Sequence, residues 1–249
     1  MIRQYQSHGS KQKPIDSSVQ SHYGTTPYRT HMGHIQRIWK TFFENYPIGF
    51  HIPLFETDGL TVRTHERGSP PRTILTRSGM MEQQMEQTVA LIIDAHQDPS
   101  TTIDGLIYCM YTLNGDKMIP WYIGKAERIG RNGHLSTNID KIQRKSGPFG
   151  RWGYGYAYHI GDLSAAVFGY EDKIKPKYEH WRDVLFKDYE QLLLNEPVYL
   201  WVKAWDKTNA GPWTEYGPTS LSFLEYQLIG VASKINPELL NSEGTSFGR

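Results

Sequence analysis

Residues 105–127 read GLIYCMYTLNGDKMIPWYIGKAE. Two runs of β-branched, aromatic and apolar residues, 106–113 and 118–124, flank Asn114-Gly115, the dipeptide that most favours a tight hairpin turn because both residues tolerate positive φ. The stretch reads as a β-hairpin, with Pro120 marking an edge strand or a bulge. Side chains of neighbouring strands can face one groove, so the phenols of Tyr108 and Tyr122 can point at one ligand. Gly124 closes the second run with no side chain, which lets backbone or substrate come close.

Outward from the hairpin, helical spacing of apolar residues predicts helices over residues 33–45, 80–95, 135–146, 176–194 and 220–235. Further strands are expected at 154–163 and 198–205, and short β pieces within 48–78, cut by Ser69-Pro70-Pro71. Residues 1–30, rich in Gln, Ser, His and Thr, read as a flexible arm. Residues 31–100 read as an N-terminal helical and β extension, with a soft boundary near residue 100, and residues 101–249 as the domain that carries the chemistry. The fold class is α+β: a small mixed or antiparallel sheet flanked by helices.

Composition narrows the function. The 249 residues contain one cysteine, Cys109, which excludes an internal disulfide and any multi-cysteine metal site. No apolar run approaches the ~20 residues of a membrane span, and no apolar stretch follows the basic residues of the first dozen, so the expected setting is a reducing cytoplasm without membrane contact. Net charge is only +1, yet residues 117–151 hold eight basic residues against two acids. Lys125, Arg128, Lys141, Arg144 and Lys145 in that segment are suited to neutralising a phosphate backbone.

The order of residues resembles the GIY-YIG nuclease family. The resemblance runs through Gly105-Leu106-Ile107-Tyr108, Tyr122-Ile123-Gly124-Lys125, a basic stretch with Arg131 and His134, a helix with Glu225-x-x-Leu228-Ile229, and Pro237-x-x-Leu240-Asn241. It covers residues 104–242. Leu106 stands where the family's first glycine would be, the link between the tyrosines is long, and residues 164–197 are an insert. Arg131 and Arg151 are alternative candidates for the catalytic arginine.

The resemblance implies divalent-metal-dependent hydrolysis of phosphodiesters in DNA, with RNA left open. Glu225 would hold one Mg²⁺ or Mn²⁺ that keeps most of its waters and binds a phosphate oxygen. Tyr108 would accept the proton of the attacking water, and a free phenol near pKa ~10 needs neighbouring cations or the metal to do so at neutral pH. Tyr122 would orient that water or the phosphate. Arg131 or Arg151 would meet charge on the phosphoryl oxygens, His134 would assist, and Asn241 would anchor the glutamate helix or a water. One site per chain would need a second copy to cut both strands, which points to a homodimer. Two other readings fit the same residues: an inactive nucleic-acid-binding module on this fold, and an aromatic-rich protein-interaction domain.

Overall fold

The computed structural model describes residues 27–143, 159–171 and 174–245, with side chains placed for 33–140, 162–171 and 174–245. The expected hairpin is its centre. Strands β6 (Ile103–Asn114) and β7 (Lys117–Glu127) pair antiparallel around Asn114-Gly115. On the other side of β6 lies β10 (Tyr199–Asp206), and beyond it the two-residue β1 (Ile52–Pro53), giving an antiparallel sheet of order β1-β10-β6-β7. β6 is apolar along nearly its whole length rather than alternating, because both faces of the sheet are covered.

On one face Leu106, Tyr108, Met110, Tyr122 and Ala126 join a core with helix α2 (Gly79–His96), α3 (Thr137–Gln143), α4 (His159–Phe168) and α5 (Pro176–Leu185). On the other face Ile107, Cys109, Tyr111, Ile123, Trp201 and Trp205 meet α1 (Pro27–Asn45) and α6 (Leu221–Ile235). Residues on either side of position 100 thus share one sheet: β1 pairs with β10, and α2 packs on β6 and β10. Shorter strands β2 (Thr57–Asp58), β3 (Thr61–Val62), β8 (Phe186–Asp188) and β9 (Leu193–Leu194) form a second small sheet, and β4 (Thr64–Arg67) pairs with β5 (Arg72–Leu75). No described helix is long and apolar enough to cross a membrane.

Three expected elements differ. Helix α1 opens at Pro27 rather than at residue 33, so the last four residues of the stretch 1–30 read as a flexible arm are helical. The strand proposed at 154–163 is not present from residue 159 onward: residues 159–163 open α4, whose Leu163, Ala165 and Ala166 are buried, a spacing and alanine content that favour a helix. Residues 154–158 lie outside the described residues. The helix proposed over 176–194 stops at Leu185. The chain then extends into β8, and the Asp188 carboxylate accepts from the backbone N–H groups of Glu190 and Gln191, an Asx turn that competes with helix. Leu192 follows with φ +57°, and the chain returns as β9.

β7 is an edge strand, and its free side is covered by the segment after α6. Asn236 Nδ2 donates to the Pro120 carbonyl at 2.9 Å, and Leu240 N–H to Trp121 at 2.8 Å. Asn241 clamps Ile123 from both ends: its Oδ1 accepts from Ile123 N–H at 2.9 Å and its Nδ2 donates to Ile123 C=O at 2.8 Å. Pro120 sits where it has no ladder bond to lose, beside a bulge between Tyr122 and Pro120 in the pairing with β6. Asn241→Ala leaves a buried donor and acceptor unmatched, and should lower unfolding free energy by about 1–3 kcal/mol. Denaturant titration reads the loss, and amide exchange at Ile123 should accelerate ahead of the rest of β7.

Candidate active site on the tyrosine hairpin

Tyr108 stands opposite Gly124 in the β6–β7 register. Its ring lies across the glycine, so a Cβ built on Gly124 would overlap the Tyr108 Cζ and Oη. Gly105, three pairs further along, has φ +152°, and a Cβ there would meet the Ala126 carbonyl. Both glycines of the motif are therefore demanded by close approach. Tyr122 lies on the same face as Tyr108, with ring centroids 6.1 Å apart, and packs against Trp181 of α5 at 4.9 Å. Tyr108 is 1% exposed and Tyr122 8%.

Glu225 arrives from the opposite face. Helix α6 starts where Ser220 Oγ accepts from Phe223 N–H at 3.4 Å, and where Asp104 Oδ2 accepts from Leu221 N–H at 3.1 Å. A carboxylate at a helix N-terminus is favoured by the helix dipole. Asp104 thus ties the start of β6 to the helix that carries the glutamate. Strand alternation turns Lys125, next to Gly124, toward α6. Its Nζ donates to Glu127 Oε1 and, at 3.0 Å, to Ser222 Oγ, and lies 4.0 Å from Glu225 Oε2. Ser222 Oγ in turn donates to Glu127 Oε1 at 3.0 Å.

Burial pushes the Glu225 carboxyl above the ordinary glutamate value; Lys125 opposes the shift, while Glu127 and Glu243 reinforce it. Glu127 moves the other way, held down chiefly by its hydrogen bond from Lys125. The two carboxylates around Lys125 are thus shifted in opposite directions.

The two phenols and the carboxylate do not share one face: β7 runs between them, and groups from the two sides can meet only around its edge. The remaining candidates are more dispersed. Arg128, half-buried, donates through Nε to the Ile103 carbonyl at 2.6 Å, with Nη1 3.4 Å from His96 Nδ1, and so fastens the end of the hairpin to α2. Arg131 and His134 are exposed on a tight loop closed by Gly130 N–H to the His134 carbonyl at 2.8 Å. Lys141 lies in α3, its side chain outside the described set. Arg144, Lys145 and Arg151 lie outside the described residues altogether.

Asp104, Glu127 and Ser222 escaped the sequence reading, although Asp104 directly precedes Gly105 and Ser222 stands one helical turn before Glu225. No protein-family profile, curated protein or solved structure matches this chain.

Among the described residues no group of three or more His, Cys, Asp or Glu is arranged to hold a metal ion. A single half-buried carboxylate such as Glu225 fits a hard divalent cation that keeps its waters and takes further oxygens from a phosphate, and fits poorly any ion that needs an all-protein cage.

The raised Glu225 value carries a stability consequence. A carboxyl whose folded-state pKa lies above its unfolded one contributes most below the unfolded value, and that contribution is lost as pH rises through the folded value. Glu225→Gln should therefore raise Tm at pH 7 by roughly 1–3 °C, with the difference shrinking below about pH 4. Calorimetric scans at both pH values check this.

Proposed function

We propose that the chain is a divalent-metal-dependent endonuclease of the GIY-YIG type that hydrolyses phosphodiester bonds in DNA. The observation that supports this most is the half-buried Glu225 carboxylate, 4.0 Å from Lys125 Nζ and beside the strand that carries Tyr122-Ile123-Gly124. Groups held in an unfavourable ionisation environment are what a site retains for chemistry.

In this reading Glu225 would hold Mg²⁺ or Mn²⁺. The ion would supply positive charge against the phosphate and the leaving oxygen. Tyr108 would take the proton from the attacking water and Tyr122 would orient that water, roles that require the substrate to bring the two faces together around the edge of β7. Arg131, or Arg151, meets the charge that builds on the phosphoryl oxygens. Lys125 holds Glu225 on one side and Glu127 on the other, and so fixes the carboxylate's direction. Asn241 fixes the same strand from its edge. Cutting both strands would take two copies, in the cytoplasm.

The near-complete burial of Tyr108 favours a second reading, a nucleic-acid-binding module on this fold that does not cut. Nicking of supercoiled plasmid with Mg²⁺ or Mn²⁺, quenched by EDTA, separates the two. The nuclease reading expects Tyr108→Phe and Glu225→Ala each to lower nicking at least 100-fold while DNA binding persists, a loss of the size seen when one transition-state contact is removed. Wild-type cutting by either variant would overturn the assigned roles. Salt-sensitive binding with no cutting by the unmodified chain would favour the module.

A further inference from the structure

The insert helix α5 brings a lysine to the tyrosine face that the motif does not contain. Lys177 Nζ lies 4.8 Å from the centroid of the Tyr122 ring, 5.4 Å from Trp181 and 5.6 Å from Tyr178. Contacts of this length with three aromatic rings hold an ammonium by cation–π attraction. Among the described residues it has no acid partner: Asp162, the carboxylate whose field it feels, bonds Lys175 Nζ at 2.8 Å instead.

The position works against the charge. Lys177 follows Pro176 in the first turn of α5, where the helix dipole disfavours a cation. Burial pulls its ammonium below the ordinary lysine value; Lys175 adds to that and Asp162 opposes it. A partly desolvated lysine that bonds no carboxylate among the described residues can take an anion brought from outside. Lys125, by contrast, already has Glu127, Ser222 and Glu225 around it, on the opposite face.

We propose that Lys177, rather than Lys125, is the lysine that meets a backbone phosphate of the bound nucleic acid on the Tyr108–Tyr122 face. The inference rests on the nucleic-acid-processing reading above and adds to it a binding group from outside the motif. It is local to one contact, made by the ammonium that lies 4.8 Å from the Tyr122 ring centroid.

The test uses the full chain and a fluorescently labelled 20-base-pair duplex, in EDTA so that binding is read without cleavage. Affinity is measured from 50 to 300 mM salt for wild type, Lys177→Met and Lys177→Arg, with Tm recorded for each. Loss of one phosphate contact should reduce the slope of log affinity against log salt by about 0.9. At fixed salt Lys177→Met should bind roughly tenfold more weakly and nick plasmid roughly 100-fold more slowly, whereas Lys177→Arg should keep the wild-type slope. A Lys177→Met variant with wild-type Tm, slope and nicking overturns the proposal. If Lys177→Met is unfolded, the Arg variant decides: a wild-type slope supports a charge contact, and a slope lowered by about 0.9 in a folded Arg variant overturns it. A wild-type chain that binds but never nicks sinks the nuclease reading while leaving the Lys177 slope test intact, and one that does not bind sinks both.

Discussion

The pairing of Tyr108 with Gly124 across β6 and β7 is the constraint on which the candidate site depends. A phenol ring can lie flat over its cross-strand neighbour only when that neighbour has no side chain. The glycine leaves room for the Tyr108 ring, whose centroid lies 6.1 Å from that of Tyr122, while strand alternation turns Lys125 the other way. Alternation thus sorts the chemistry-bearing side chains of β7 between the two faces of the sheet. Tyrosines go to the face lined by α2, α4 and α5; lysine and glutamates go to the face covered by α6.

The outer edge of β7 borders both faces. Asn236, Leu240 and Asn241 cover it from Pro120 to Ile123 and stop one residue short of Gly124. Beyond that point Lys125 and Glu127 reach Ser222 and Glu225. Asp104 closes the frame by capping α6 from the start of β6. Side chains on two strands, one helix and one tail therefore hold a carboxylate at a fixed place without any metal cluster among the described residues.

The hairpin, most of α1, α2, β10 and α6 were legible because their signals are local: an Asn-Gly turn, and apolar runs or helical periods. The over-long helix after Pro176 shows the limit. Tyr189, Leu192 and Leu193 keep helical spacing, but the side chain of Asp188 offers its neighbours' N–H groups a better partner than the helix would. The site was legible as an inventory and not as an arrangement. Spacing could not show that Lys125 would spend its charge on Glu127 and Glu225, because Ser222 and Glu225 lie about a hundred residues away. Nor could it find Lys177, since the insert that carries it falls between the motif's parts and becomes a neighbour of Tyr122 only after α5 folds back on the sheet.

The tail that hems β7 has a bearing on how the molecule can be handled. Without residues 236–241 the carbonyls of Pro120 and Trp121 and both backbone groups of Ile123 would stand open, an invitation to strand addition. Two such molecules could zip together through their bared edges into one shared sheet. Tags, fusions and domain grafts on this side of the protein belong after residue 245, where they leave that hem stitched.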